Sequence, residues 1–149
     1  MRVHELMNPD VEYCNPDDDL ATAAMIMWRR DCGMVPVVEE RSQKVVGVIT
    51  DRDICMATAT KHRTPESVRV SEVMAKDVCV AEADQNIEGA MGVMRTHQVH
   101  RLPVVDRTGQ LKGVLSIADV ARTAPNDSVA HVDLVDTYRA IHRPRQLKA

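Results

Sequence analysis

A hydroxyl and a carboxylate recur at one spacing in two places along this chain of 149 residues. Thr50 stands three positions before Asp53, and Ser116 stands three positions before Asp119. At the start of a helix, the hydroxyl and free backbone N–H groups can hold a phosphate, while the carboxylate can accept both hydrogen bonds of a ribose diol. The same spacing is close to a capping box, which stabilises a helix start without any ligand. Taken alone, the spacing favours capping.

The segments around these two pairs belong to an internal repeat. Three segments return in the same order in the second half of the chain: Val3–Met7 as Val70–Met74, Met34–Val38 as Arg101–Val105, and Gly47–Asp53 as Gly113–Asp119. A repeat of this length usually means one supersecondary unit used twice, because each copy has an apolar face that only its partner can cover. We therefore expect a single core with a pseudo-twofold axis.

Each copy predicts the order strand, helix, strand, strand, helix. Apolar residues at helical spacing follow N-cap residue types in the first helix of each copy, and a β-turn-β pattern comes next. The expected strands are residues 11–14 and 78–81, the runs that contain Pro36 and Pro103, and the runs 45–50 and 111–116, with helices beginning near Asp51 and Ile117. Because proline cannot donate to a ladder, we expect Pro36 and Pro103 at a strand start or on an edge.

Whole-chain composition fits one compact module. Hydrophobic residues make up 44% of the chain, enough for a sizeable core, whereas two independent folds of about 60 residues would each be marginal. A formal net charge of -3 argues against general nucleic-acid binding. No apolar stretch approaches the ~20 residues that span a membrane, and the N-terminus does not resemble a signal peptide. We expect a cytoplasmic protein with no membrane or nucleic-acid partner.

Catalytic and metal signatures are weak in this sequence. There is no Ser-His-Asp signature, H-E-x-x-H, G-x-x-x-x-G-K or Rossmann glycine pattern, so we expect neither an enzyme nor a bound cofactor. His97 and His100 make a poor metal pair, because His100 is expected to lie past the end of its helix. The cysteines form no C-x-x-C pair, which favours reduced core or semi-buried thiols over disulfides or a zinc site: Cys14, Cys32, Cys55 and Cys79.

The repeat and its breaks give the expected domain boundaries. Residues 1–58 form the first repeat, the polar residues 59–69 a surface connection, residues 70–124 the second repeat, and residues 125–149 a tail without a counterpart. Apolar residues at roughly helical intervals predict an amphipathic helix over residues 128–142 of the tail.

The repeated motifs resemble those of a known family. An L-M-x-x-D-V-like opening, a helix, P-V-V, a short turn, and then G-V-I-T-D-R-D or G-V-L-S-I-A-D all occur twice. This pattern resembles the tandem cystathionine-β-synthase (CBS) domain pair, or Bateman module, as found in stand-alone bacterial CBS proteins, and it covers roughly residues 1–124. The resemblance implies an α/β (α+β) fold of two β-α-β-β-α repeats, here followed by a C-terminal helix. It also reverses the preference for capping alone, because in this family the Ser/Thr contacts phosphate and the Asp binds ribose.

The resemblance further implies two sites in clefts between the repeats, in which the motif of one repeat faces the adenine pocket of the other. Site A would combine Thr50, Arg52 and Asp53 with Cys79, Val99, His100, Arg101 and Pro103. Site B would combine Ser116 and Asp119 with Glu12, Cys32, Gly33, Met34 and Pro36.

The two implied sites differ in charge. Arg52 and Arg101 would lie near the phosphate in site A, where site B has Ala118 and Met34. Arginine binds phosphate through charge-assisted and often bidentate hydrogen bonds. Site A should therefore prefer the more anionic ligand, with a solvated surface charge as the alternative interpretation of Arg52.

The resemblance predicts a regulatory module that senses adenine nucleotides, with AMP, ADP or ATP ahead of NAD(P)(H) or S-adenosylmethionine. One alternative is a constitutive dimeric scaffold whose clefts are empty. Another is a redox or metal switch that uses Cys14, Cys32 or Cys79 with His100. Because CBS pairs commonly dimerise through their helices, we also expect a homodimer, with Trp28 and its counterpart Arg95 on the helix faces. A two-state change on ligand binding could be read by an unidentified protein partner.

Overall fold

The chain folds into short β-strands flanked by helices. The computed structural model describes residues 1–126 and 128–145, so residues 127 and 146–149 of the expected tail lie outside the described part. The helices are α1 (Val3–Leu6), α2 (Leu20–Arg30), α3 (Asp51–Lys61), α4 (Ile87–His97), α5 (Ile117–Thr123) and α6 (Val129–Ile141). The strands are β1 (Met34–Val38), β2 (Val45–Thr50), β3 (Ala81–Glu82), β4 (Arg101–Val105) and β5 (Leu111–Ser116). Of the helices in the described residues, none has the length and apolar character needed to cross a membrane.

The chain divides into two compact modules. The first module comprises Asp10–Val78 and Thr108–Leu111, and the second comprises Met1–Pro9, Cys79–Arg107 and the chain from Lys112 onwards. Within the described residues, most of the buried apolar side chains form one cluster in each module. The expectation of a single core was wrong, because the helices and strands within each module already bury one another's apolar faces.

The first module is built on a β-hairpin covered by helices. β1 and β2 pair antiparallel, with Met34 opposite Thr50. Side chains from both strands join those of α2 and α3 in the apolar cluster of this module. α2 begins after Asp19, whose carboxylate accepts a hydrogen bond from Thr22 N at 2.7 Å, and it ends at Asp31 in the left-handed conformation (φ 48°). The hairpin therefore places the end of β2 beside the start of β1.

Pro103 lies at the centre of β4, between β3 and β5, so the expectation of a strand start or an edge was wrong for it. Pro36 lies at the centre of β1, which belongs to a two-stranded sheet with β2 and is therefore an edge strand, as expected. Its partner on β2 is Val48, whose N–H and C=O both pair with Ala75, at 3.1 and 2.9 Å. The missing N–H of Pro36 therefore removes no hydrogen bond to β2, and its carbonyl accepts one from Cys14 N at 3.1 Å. The expected strand over residues 11–14 is reduced to a bridge at Cys14, because only that residue pairs with β1.

The second module adds a helix to the same plan. β3 runs parallel to β4, and β4 neighbours β5. α6, which matches the helix predicted for the tail, packs on α4 and α5. Arg95 on α4 forms an ion pair with Asp133 and donates to Thr137 Oγ1 at 2.8 Å, and Thr137 is fully buried. The tail helix is therefore part of the second module.

The opening segments of the two repeats are exchanged between the modules. Asn8 N donates to Val114 O at 2.9 Å in the second module, and Ala75 N donates to Val48 O at 2.9 Å in the first. A Cβ on Gly113 would lie 2.5 Å from Asn8 O, and a Cβ on Gly47 would lie 2.9 Å from Ala75 O. The glycine of each G-V-I/L-T/S motif is therefore required by the segment that crosses it.

The connection between the repeats is partly structured. α3 continues to Lys61, and a short 3-10 turn spans Pro65–Ser67. Val68 is fully buried and its carbonyl accepts a hydrogen bond from Leu20 N at 3.0 Å. A polar surface connection over residues 59–69 therefore describes only part of this segment.

Candidate functional site

The first hydroxyl–carboxylate pair lies where β2 runs into α3. Thr50 Oγ1 accepts a hydrogen bond from Asp53 N at 3.1 Å, and Asp53 Oδ2 accepts one from Thr50 N at 3.0 Å. These reciprocal bonds form the capping box that the spacing predicted. In the described part of the chain, Asp53 Oδ1 accepts no hydrogen bond and the Thr50 hydroxyl has no acceptor. The pair therefore caps the helix and still has a donor and an acceptor to offer.

The start of β1 lies against this pair within the first module. Gly33 O accepts a hydrogen bond from Asp51 N at 3.1 Å, and Met34 is the strand partner of Thr50. Cys32 is half-buried, while Met34 and Pro36 are buried. The side chain of Arg52 is exposed and, in the residues described, forms no ion pair. Residues predicted for site B thus lie beside the motif predicted for site A.

Glu12 belongs to an ion-pair cluster at the end of α2. Its two carboxylate oxygens accept hydrogen bonds from Arg29 at 3.1 Å and from Arg30 at 2.7 Å. Arg30 also pairs with Asp10 at 3.0 Å, and the hydrogen bonds to Asp10 and then Glu12 raise the pKa of Arg30. A ligand at Glu12 would have to compete with two arginines.

The second pair has the same frame but is more fully hydrogen-bonded. Ser116 Oγ accepts from Asp119 N at 3.1 Å, and Asp119 Oδ2 accepts from Ser116 N at 2.9 Å. The Ser116 hydroxyl also donates to Asp119 Oδ2 at 2.6 Å. Arg122 donates to the remaining oxygen, Asp119 Oδ1, at 2.6 Å. Both oxygens of this carboxylate are therefore occupied.

The start of β4 lies against the second pair. His100 O accepts from Ile117 N at 2.9 Å, which matches the bond between Gly33 and Asp51. Arg101 Nη1 lies 2.8 Å from His100 Nε2. Because a guanidinium only donates, His100 Nε2 can take part in this contact only as the acceptor. The other predicted residues of this module lie nearby in the chain or pack into its cluster: Val99 and Cys79 are half-buried against the cluster and Pro103 is buried.

Each module thus brings together residues of one repeat. Thr50, Arg52 and Asp53 lie in the first module, while the other residues of site A lie in the second. Site B is divided in the opposite way, with Ser116 and Asp119 in the second module. The combination of these groups across the repeats stays a prediction from the resemblance.

Sequence reasoning missed Arg122 as a partner of the motif. It lies three positions after Asp119 in α5, a spacing that brings charged side chains together on a helix. That spacing was visible in the sequence. The matched position in the first repeat is Met56, so the contact is not part of the repeat pattern.

The cysteines offer little support for redox or metal chemistry. Cys14 is buried, and this burial, with a smaller contribution from Asp18, raises its pKa to about 12. Its thiol is therefore protonated near neutral pH and is a poor nucleophile or ligand. Cys32 and Cys79 are half-buried as expected, but Cys55 is exposed. Among the described residues, no group of three or more His, Cys, Asp or Glu side chains could hold a metal ion.

Comparison with known proteins gives a clear family match. The CBS domain model matches residues 3–59 and 70–126. The CBS domain-containing protein YhcV of Bacillus subtilis is 34% identical over 119 residues, covering 80% of this chain and 82% of YhcV. The crystal structure of Hypoxic Response Protein I with two coordinated zinc ions has a TM-score of 0.76 and 28% identity, covering 84% of this chain and 100% of that one. Hypoxic response protein 1 of Mycobacterium tuberculosis is likewise 28% identical.

Two further solved structures share the fold and contain adenosine compounds. The CBS domain pair of protein MJ0100, in complex with 5′-methylthioadenosine and S-adenosyl-L-methionine, has a TM-score of 0.73 at 24% identity. It covers 82% of this chain and 94% of its own. CBSX2 in complex with AMP has a TM-score of 0.71 at 24% identity, covering 83% of this chain and 95% of its own. At this identity the likeness concerns the fold.

Proposed function

This chain belongs to the CBS domain family, and on that premise we propose that it is a regulatory ligand-binding module that senses adenine nucleotides, namely AMP, ADP or ATP. The observation that carries the proposal is the pair at the start of α3. The Thr50 hydroxyl and Asp53 Oδ1 remain available after the capping box has formed. They offer a donor for phosphate and an acceptor for ribose on one helical turn.

Arginines strengthen the case for a phosphorylated ligand. Arg52 is exposed beside Thr50 in the first module, and Arg101 is half-buried beside His100 in the second. Hydrogen bonds from guanidinium to phosphate are charge-assisted and therefore stronger than neutral ones. With both arginines at the phosphate of site A, as the family resemblance implies, ATP would bind there more tightly than adenosine.

The ligands of the other CBS structures support an adenosine-containing molecule. AMP in CBSX2, and methylthioadenosine with S-adenosylmethionine in MJ0100, share an adenosine group. S-adenosylmethionine is therefore the strongest competing ligand, followed by NAD(P)(H). We propose no zinc site by analogy with Hypoxic Response Protein I.

We further propose that the module acts as a homodimer joined through α2. Met25 and Trp28 on this helix are 55% and 84% exposed, and an exposed apolar patch of this kind commonly marks an interface. The matched residue of Trp28 is Arg95, which α6 covers in the second module. Arg29 and Arg30 at the end of α2 are paired with acidic residues, so two copies of this face can meet without like-charge repulsion. Ligand binding would shift the population of two states that a partner protein distinguishes.

Calorimetric titration tests the nucleotide proposal. AMP, ADP and ATP should bind, and ATP should bind more tightly than adenosine. An Arg101→Ala variant should lose about tenfold in ATP affinity, the effect of one charge-assisted hydrogen bond, with adenosine affinity unchanged. Tighter binding of S-adenosylmethionine or NAD than of any nucleotide would shift the assignment to that ligand. No binding of any of these compounds, and no nucleotide released from the purified protein, would favour the empty scaffold.

A further inference from the structure

The two motif carboxylates differ in how many hydrogen bonds they have left to accept. A carboxylate has about four acceptor positions on its two oxygens. Asp53 uses one of them, for Thr50 N. Asp119 accepts from Ser116 N, from the Ser116 hydroxyl and from Arg122. A ribose diol can therefore donate to the unoccupied Oδ1 of Asp53, whereas at Asp119 it must displace an existing hydrogen-bond donor.

The two hydroxyls differ in the same direction. In the described residues the Thr50 hydroxyl has no acceptor, so its hydrogen is available to a phosphate oxygen. The Ser116 hydroxyl already donates to Asp119 Oδ2 at 2.6 Å. A phosphate at Ser116 would need that hydrogen to turn away from a carboxylate, an acceptor of a strong charge-assisted bond.

A single difference between the repeats accounts for the bond to Asp119 Oδ1. Position 56 in the first repeat corresponds to position 122 in the second, and it holds Met56, where the second repeat holds Arg122. Met56 is 50% exposed, and a thioether cannot donate a hydrogen bond to Asp53. Arg122 lies one helical turn after Asp119, and its Nη2 donates a hydrogen bond to Asp119 Oδ1 at 2.6 Å.

From these contacts we infer that Arg122 occupies the Asp119 carboxylate and so keeps the second motif in a closed state, in which a ligand must displace the arginine. Each chain then has one strong nucleotide subsite at Thr50 and Asp53 and one weaker subsite at Ser116 and Asp119. This inference rests on the proposed function. The side chain of Arg122 is 73% exposed, so the ion pair is screened and can be displaced. The combined cost of releasing Arg122 and the Ser116 hydroxyl makes the second subsite roughly tenfold weaker.

Reciprocal exchange of the two residues tests the inference, with AMP as the probe in calorimetric titrations. Wild type should show one strong binding event and one about tenfold weaker, the strong event lost in Asp53→Asn and the weak one in Asp119→Asn. Arg122→Met should strengthen the weak event about threefold, because the Ser116 hydroxyl still has to be released, and Met56→Arg should weaken the strong one by a similar factor. Arg139→Met is the control, because it removes another exposed pair of the same spacing, to Asp136 on α6, and should change neither event.

The outcomes separate this inference from the proposed function. Two equal binding events in wild type, or a weak event that Arg122→Met leaves unchanged, would overturn the closed state of the second motif while nucleotide binding stands. A weak event that Arg122→Met weakens further would mean that Arg122 contacts the phosphate, and would also overturn it. Absence of any AMP binding to wild type would remove both proposals together. Thermal unfolding of each variant verifies that the protein used in the titration is folded.

Discussion

At the scale of residues, helix capping and ligand binding are compatible uses of the same side chains. The capping box uses Asp53 Oδ2 and a lone pair of Thr50 Oγ1, which leaves Oδ1 and the hydroxyl hydrogen for a ligand. At the second motif, Arg122 and the Ser116 hydroxyl occupy the corresponding groups. Capping, which the spacing alone favours, and binding, which the family resemblance favours, therefore use different atoms of the same side chains.

Replacement of Asp53 by alanine should separate the two uses. Asp53→Ala should abolish the strong nucleotide event, because the ribose loses its acceptor, while the free energy of unfolding falls by only about 1 kcal/mol from the lost cap. Calorimetry with AMP and urea denaturation measure the two effects. Asp51→Ala is the matched control, since Asp51 is an exposed carboxylate in the same first turn and its removal should leave nucleotide binding intact. A variant that unfolds outright, or that binds AMP as wild type does, would contradict the assignment.

At the scale of elements, the sequence pattern correctly predicted strands and helices whose ends are set by neighbouring residues in the chain. β2 and β5 end where their hydroxyl residues cap the next helix, and both strands have the predicted bounds, Val45–Thr50 and Leu111–Ser116. The tail helix also lies where its apolar spacing placed it. The exchange of the opening segments was not predictable from periodicity, because it depends on pairing between residues far apart in the chain, such as Asn8 and Val114.

In the candidate site, too, local features were predictable from the sequence and contacts between distant residues were not. Spacing alone found the pairs at Thr50 and Ser116, and the repeat matched them to one another. Spacing did not reveal the ion pairs of Glu12 with Arg29 and Arg30, because these pairs join a loop to the end of a helix. Nor did it explain how Pro36 sits mid-strand, which depends on Val48 pairing with Ala75 instead of with β1.

The glycines under the crossing segments give a test of the exchange. Gly113→Ala should lower the free energy of unfolding by about 1–3 kcal/mol, because the new methyl group overlaps a backbone carbonyl that cannot easily move. Gly47→Ala should have a similar effect, since its Cβ would lie 2.9 Å from Ala75 O. The control is Gly89→Ala in α4, where a Cβ meets nothing within 4 Å and better helix propensity should add up to about 1 kcal/mol. Urea denaturation measures all three, and equal effects at Gly113 and Gly89 would speak against the crossing.

At the scale of the whole molecule, one exposed helix face and one covered face distinguish the repeats. α6 packs on α4 in the second module, whereas α2 in the first module presents Met25 and Trp28 to solvent. The tail helix thus covers Arg95 on α4 and leaves the exposed apolar side chains of α2 as the face proposed to join two copies.

Trp28→Asp should convert the proposed dimer to a monomer without loss of fold, because a side chain that is 84% exposed contributes little to the core. Light scattering at micromolar concentration should give twice 16.6 kDa for wild type and 16.6 kDa for the variant. Tyr138→Ala provides the comparison, since Tyr138 is an exposed aromatic residue on α6 and its loss should leave the dimer intact. A wild-type mass of 16.6 kDa, with and without nucleotide, would refute the homodimer.

Thermal unfolding with added ligand tests the central claim most directly. A compound that binds only the folded state at about 100 times its Kd adds about 2.7 kcal/mol to the free energy of unfolding. For a chain of 149 residues that corresponds to a rise in Tm of several degrees. Millimolar AMP, ADP or ATP should produce this rise in the wild-type protein. No rise with any of these three, or with NAD or S-adenosylmethionine, would contradict the account of this protein as an adenine-nucleotide sensor.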